Sequence, residues 1–189
     1  MNKAHEEIQM LDKQIMELKK KRTDLWRKAP RQLFDNYTLR QTDGGEVSLA
    51  DLFGDKSELI LVHNMGKSCP YCTLWADGFI GFTKHLENRA AFALCSPDEP
   101  ATLKQFAESR GWNFRTISCH GSDFASDAGF EPEPGKYWPG VSCFRKRADG
   151  AIERTGMSFF GPGDDFCSLW HLLDLLDNGP DGWQPRYKY

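Results

Sequence analysis

Cys69 and Cys72 stand three apart, separated by Pro70 and Tyr71, shortly after the apolar run Leu59-Ile60-Leu61-Val62. An apolar run followed by Cys-Pro reads as a strand leading into a helix, which puts the first cysteine at the helix N-terminus. Unsatisfied backbone N–H groups and the positive end of the helix dipole favour a thiolate there. A thiolate with a second thiol one helical turn away suits thiol–disulfide exchange. Cys69 attacks a disulfide to give a mixed disulfide, and Cys72 resolves it. Pro-Tyr between the cysteines supplies no charge, so no extreme oxidant is expected. Lys67, just before the pair, is a candidate for thiolate stabilisation, or else a solvated loop lysine.

Further candidates flank the pair. His63, near the end of the same strand, is a proton acceptor if it faces the cysteines, and a core side chain if strand alternation turns it away. Asp77 and Trp75 follow on the helix; each borders the site or packs, with packing expected for Trp75. His120, Ser122 and Asp123 sit in a loop after a later strand. Its C-terminal end should open on the same edge as the cysteines, making them substrate-side candidates or an ordered polar turn.

The elements that must position these groups follow from periodicity. Ile8, Leu11, Ile15, Leu18 and Leu25 repeat at spacings of three and four, with Arg22 interrupting, so residues 3–28 form an amphipathic helix ending at Pro30. The stripe suits packing on its own domain or pairing with a second copy as a homodimer. Lys19-Lys20-Lys21-Arg22 reads as a solvated face. Strand-like segments at 37–41 and 46–49 flank Asp43-Gly44-Gly45. From Glu58 the order is strand (58–65), helix (70–87), strand (91–95), helix (100–110), strand (113–119), long loop (120–138), hairpin (141–146 and 152–155 around Asp149-Gly150) and helix. Asp164 is expected to cap that last helix, whose stripe is Phe166, Leu169, Trp170, Leu173 and Leu176, and Gly179-Pro180 to stop it. Strands alternating with helices indicate parallel pairing, and the closing hairpin makes an α/β fold with a mixed sheet flanked by helices. The organisation is thus an N-terminal helix (1–30), one domain (31–179) and a tail (180–189).

Composition narrows the function classes. A net charge of −3 gives no reason to expect nucleic acid or a membrane surface as partner, and no stretch approaches the ~20 apolar residues that span a bilayer. The polar N-terminus does not read as a signal peptide, so a cytoplasmic, reducing setting is expected. There, Cys95, Cys143 and Cys167 read as small buried hydrophobes rather than a disulfide framework, and Cys119 beside His120 is less clear. A zinc module would need a second ligand pair, and only Cys119-His120, of poor spacing, offers one; no metal or other cofactor is expected.

Several segments carry a resemblance. Val62-His63-Asn64-Met65, Cys69-Pro70-Tyr71-Cys72, Asp77-Gly78-Phe79, His85-Leu86, Gly111-Trp112-Asn113-Phe114 and Gly121-Ser122-Asp123-Phe124 resemble a thioredoxin-like family first catalogued as a domain of unknown function. Its members are described as predicted dithiol–disulfide oxidoreductases. The acidic, proline-rich stretch 131–134 departs from that pattern. The resemblance implies a thioredoxin-like fold over about 33–177, with 34–52 and the strand at 113–119 closer to the peroxiredoxin branch. It also implies a cis-proline at Pro139 facing the cysteines. Its activity would need a protein or small-molecule disulfide as substrate and a thiol electron donor. A thiol peroxidase is an alternative, but peroxiredoxins resemble one another in a Pro-x-x-x-Thr/Ser-x-x-Cys motif, and here Val62 and Gly66 fill its proline and hydroxyl positions. A non-catalytic binding or assembly protein on the same scaffold is the other alternative.

Overall fold

A computed structural model describes residues 2–189. The chain divides into two compact units that meet at residues 32 and 33. The first is helix α1 (Lys3–Lys28), capped by the Asn2 side chain, which accepts from the Ala4 N–H at 3.2 Å. None of its residues is buried, and Ile8, Leu11, Ile15, Leu18 and Leu25 are all about half exposed or more.

The second unit is built on one mixed sheet. Its strands are β1 (Gln32–Phe34), β2 (Thr38–Gln41), β3 (Glu46–Ser48), β4 (Glu58–His63), β5 (Ala91–Ser96), β6 (Arg115–Ser118), β7 (Gly140–Lys146) and β8 (Ile152–Phe159), in the order β1-β8-β7-β4-β5-β6-β2-β3. β4, β5 and β6 run parallel, in line with the alternating strand–helix sequence; β7 pairs antiparallel with β4 and β8 with β7. β2 joins the far side of β6, antiparallel, and carries β3 outermost.

β4 shows why the middle strands lack alternation in sequence. Leu59 and Leu61 pack into one core with Phe53, Phe124, Phe130 and Phe144. Ile60 and Val62 face the other core, with Trp75, Phe92, Leu94 and Trp170. Both faces are covered, so both sets must be apolar. Helices α2 (Pro70–Phe79) and α6 (Ser168–Asp174) cover the second face. The short α5 (Phe124–Asp127) and a 3-10 turn at Ala50–Phe53 cover the first. The layers are those of a thioredoxin-like fold.

Several boundaries differ from the expected ones. The single helix expected over 70–87 is broken: after α2 comes a 3-10 turn at Ile80–Phe82, then α3 (Thr83–Arg89). Gly78 and Gly81 weaken the chain's helical preference at this break. Helix α4 (Pro100–Arg110) ends as expected at Gly111, whose φ of 70° is the left-handed cap conformation. The 120–138 loop contains α5. β8 runs four residues beyond Thr155 because it follows β7 back through a bulge at Cys143/Phe144. Asp164 does not cap α6. Its carboxylate gathers the N–H groups of Gly161, Phe166 and Cys167 into a turn, and Cys167 occupies the cap position. The helix ends at Asp174, one turn short of Gly179.

Candidate active site at the start of helix α2

Cys69 is the N-cap residue of α2, with extended backbone angles, and Pro70 occupies the first turn, where its missing N–H leaves no bond unmade. The Cys69 sulfur takes the place that a serine or aspartate oxygen usually fills. It accepts from the Cys72 N–H at 3.1 Å. The Cys69 carbonyl accepts from both the N–H (3.1 Å) and the hydroxyl (3.0 Å) of Thr73, which fixes the first turn.

The two thiols are unequal. Cys69 is partly exposed, whereas Cys72 is buried at 3% exposure. A hydrogen bond from the Cys72 thiol, with the N–H groups of Cys72 and Tyr71, draws the Cys69 thiol down from 9.0 to about 7, against the opposing effect of desolvation. Cys72 shifts far upward, because it is the donor to Cys69, is buried and faces the Cys69 charge. One sulfur is thus the more acidic and the more accessible, and the other is held protonated beside it.

The loop before Cys69 is held by the side chains of Asn64, Asp98 and Tyr187. Gly66 has φ of 100°, and its N–H donates to the Asn64 side chain at 2.7 Å. A Cβ there would lie 3.1 Å from the Asp98 carboxylate. Position 66, where a peroxiredoxin places its hydroxyl residue, is thereby closed to threonine on two counts: the left-handed backbone and the carboxylate beside it. Asp98 follows β5 and accepts from the Lys67 N–H at 2.7 Å and from Ser96 Oγ at 3.0 Å, while its carbonyl accepts from Ser118 Oγ at 2.6 Å. The only sequence signal for Asp98 was its place just past a central strand. Tyr187, in the tail, donates its hydroxyl to the Lys67 carbonyl at 2.9 Å, and burial, then the neighbouring cysteine pair, pushes its pKa upward. Nothing in the tail's sequence pattern pointed to it.

The other candidate residues fall elsewhere. His63 belongs to the odd-numbered set of β4 and so points to the face opposite α2. It stacks on Phe130 at 3.7 Å between ring centres and shares a 2.9 Å hydrogen bond with Ser142 Oγ. Burial, then the Arg154 charge, lowers its pKa from 6.5 to about 3. The sheet separates it from the cysteines, so its candidate role as their proton acceptor gives way to the core placement, with Ser142 as its partner. Asp77 is paired with the Arg110 guanidinium and accepts from Trp112 Nε1 at 2.9 Å, tying α2 to the end of α4. Trp75 packs in the core beside Phe160 and Trp170.

Lys67 meets the site through its backbone, and its side chain is exposed. His120 contacts Glu99 at 2.8 Å and the Pro97 carbonyl at 3.1 Å. Ser122 Oγ accepts from the Phe124 N–H at 3.2 Å, and Asp123 precedes α5. These three lie at the edge where β6 ends, with the 97–99 turn after β5 between them and the loop of Lys67. Pro139 is not cis: no cis peptide bond occurs among the described residues. The trans form is the ordinary preference of an X–Pro bond, by about 0.5–1 kcal/mol. The Pro139 carbonyl accepts from the Phe160 N–H at 2.9 Å, just before β7 begins. At the next residue, Gly140, a Cβ would come within 2.4 Å of the Ser158 carbonyl oxygen and the Phe130 ring.

The remaining cysteines are free thiols. Cys95 and Cys119 are buried together on the face of His63, and Cys95 is held well above its usual range by its hydrogen bond with Cys119. Cys167 joins the core on the α2 side, and Cys143 is partly buried at the β7 bulge. Among the described residues, no three His, Cys, Asp or Glu side chains converge as a metal site, and no helix is long and apolar enough to cross a membrane.

Fold and site together define a thioredoxin-like architecture with a dithiol at its first strand–helix junction. The chain belongs to the family of bacterial proteins of unknown function DUF899, which matches residues 2–188. No curated protein matches it. Similar solved structures include the peroxidoxin BcpB from Mycobacterium tuberculosis, at 22% identity and a TM-score of 0.53 over 65% of this chain and 80% of that one. Reduced Prx3 from Vibrio vulnificus in complex with hydrogen peroxide gives 17% identity and a TM-score of 0.57 over 72% and 90%. Peroxiredoxin Q from Xanthomonas campestris gives 17% and 0.52 over 72% and 85%. At these identities the likeness is one of fold.

Proposed function

We propose that this protein is a thiol–disulfide oxidoreductase in which Cys69 is the nucleophile and Cys72 the resolving thiol. The supporting observation is the asymmetry of the pair: a partly exposed sulfur with its pKa lowered to about 7 beside a buried thiol that donates to it. The Cys69 thiolate attacks one sulfur of a substrate disulfide. A Cys69–substrate bond forms, the substrate S–S bond breaks, and the departing sulfur leaves as a thiolate that takes a proton from water. Cys72 then loses its proton and attacks the Cys69 sulfur, releasing the second substrate thiol and leaving a Cys69–Cys72 disulfide. Two electrons have passed to the substrate, and an external dithiol returns them.

A peroxidase reading draws on the peroxiredoxin-like fold. Gly66, in the position of the peroxide-pocket hydroxyl, weighs against it. Trapping separates the two. Cys72→Ser should accumulate mixed disulfides on Cys69, and the wild type should reduce 2-hydroxyethyl disulfide while Cys69→Ser does not. Cys69-dependent consumption of hydrogen peroxide with no disulfide reduction would replace this reading by the peroxidase.

A further inference from the structure

Tyr71, between the two cysteines, forms one wall of a cavity of about 280 Å³. Trp170 of α6 and Trp183 of the tail supply two more aromatic walls, and Leu173 and Pro180 add apolar surface. The rings follow one another, Tyr71 to Trp170 at 6.1 Å and Trp170 to Trp183 at 6.3 Å between centres. Asp174 is the only charged side chain among the described lining residues, and it makes no ion pair among the described residues. It is not an isolated acid. The segment 162–181 carries Asp164, Asp165, Asp174, Asp177 and Asp181 and no lysine or arginine. The tail's basic residues, Arg186 and Lys188, do not line the cavity.

Aromatic faces are electron-rich, and rings beside a carboxylate form a setting that attracts a cation while covering its apolar stem. The volume lies just below the usual range for small-molecule pockets, which suits one long side chain rather than a whole ligand. We propose that the cavity is a substrate subsite of the dithiol. Its occupant is the guanidinium- or ammonium-tipped side chain of a disulfide-bearing peptide, one or two residues from the cysteine that Cys69 attacks. The proposal rests on the oxidoreductase reading of Cys69 and Cys72 and adds the substrate class. Because Tyr71 belongs to both the dithiol turn and the cavity wall, seating the cation places the neighbouring disulfide at the start of α2.

The test uses the full chain and three substrates that differ in one side chain: the symmetric disulfides of acetyl-Cys-Arg-amide, acetyl-Cys-Leu-amide and acetyl-Cys-Glu-amide. The expected kcat/KM order is Arg, Leu, Glu, with Arg about fivefold to tenfold above Leu, as one cation–aromatic contact with a carboxylate partner allows. Asp174→Asn and Trp183→Leu should each bring Arg down towards Leu, Asp174→Lys should reverse the Arg–Glu order, and the remote Asp149→Asn should keep the wild-type preference. Leu equal to or above Arg in the wild type overturns the proposal, as does a preference that survives Asp174→Asn. Binding is read separately by tryptophan fluorescence of Cys69→Ser with acetyl-Arg-amide. Saturable quenching lost in Cys69→Ser/Asp174→Asn supports the cation site, and its absence overturns it. No turnover of any of these disulfides or of 2-hydroxyethyl disulfide refutes the oxidoreductase reading, and the cation site is then decided by the quenching alone.

Discussion

Replacing Cys72 by alanine tests the origin of the Cys69 nucleophile. The largest influence lowering the Cys69 pKa to about 7 is the hydrogen bond from the Cys72 thiol, ahead of the N–H groups of Cys72 and Tyr71. Cys72→Ala removes the thiol donor but leaves the 3.1 Å backbone contact in place. The midpoint should therefore rise above 7 and stop short of 9.0. A thiol with a midpoint of 7 is about half thiolate at pH 7, and one with a midpoint of 9 is about 1% thiolate, so the full range is about fiftyfold in reactive fraction. Water reaches Cys69 and screens part of the interaction, so a loss of about threefold to fifteenfold is expected. Cys72→Ser, which keeps a donor, should lose less. The assay is the rate of iodoacetamide alkylation between pH 5 and 10, read by mass spectrometry on the Cys69 peptide. Equal midpoints in wild type and Cys72→Ala refute the assignment of the thiol donor. A wild-type midpoint near 9 refutes the activated cysteine altogether.

Two predictions concern groups that the structure moves out of the site. His63 titrates at about 3 when folded against 6.5 when unfolded, so between those values only the unfolded chain takes up the proton. Stability is complete above pH 6.5 and falls as the pH drops, by up to about 1.4 kcal/mol per pH unit; urea unfolding at pH 7.5 and 5.5 should show this slope, and a slope that persists undiminished in His63→Leu refutes it. Asp77→Ala strips acceptors from Arg110 and Trp112 and should cost about 2–3 kcal/mol in the same assay while leaving the Cys69 alkylation midpoint unmoved; a moved midpoint with unchanged stability would return Asp77 to the active site.

The parallel middle of the sheet was legible because its residues obey local rules. Continuous apolar runs mark β4 and β5, Pro100 and Gly111 bracket α4, and Asp149-Gly150 turns the last hairpin. Cys69 as cap residue was legible for the same reason, since Pro70 can begin a helix but not continue one. The misplaced residues were those whose surroundings come from distant segments. Whether His63 served the cysteines or the core depended on which strand residues met α2, and Phe124, Phe130 and Ser142 settled it from 61 or more positions away. Asp164 carried a sound capping signal, but a loop turn formed around it instead.

The sequence by itself determined the dithiol and its place at a helix start, because a cap position depends on groups within four residues. It also determined the strand–helix alternation, which rests on short-range periodicity. The tertiary structure alone decided what surrounds the sulfurs. Asp98 comes from the end of the next strand, Tyr187 from 120 residues away along the chain, and Trp170 and Trp183 from the last helix and tail. Those contacts exist only once the sheet has brought the C-terminal ends of β4, β5 and β6 to one edge, and no local pattern encodes a distance across that edge.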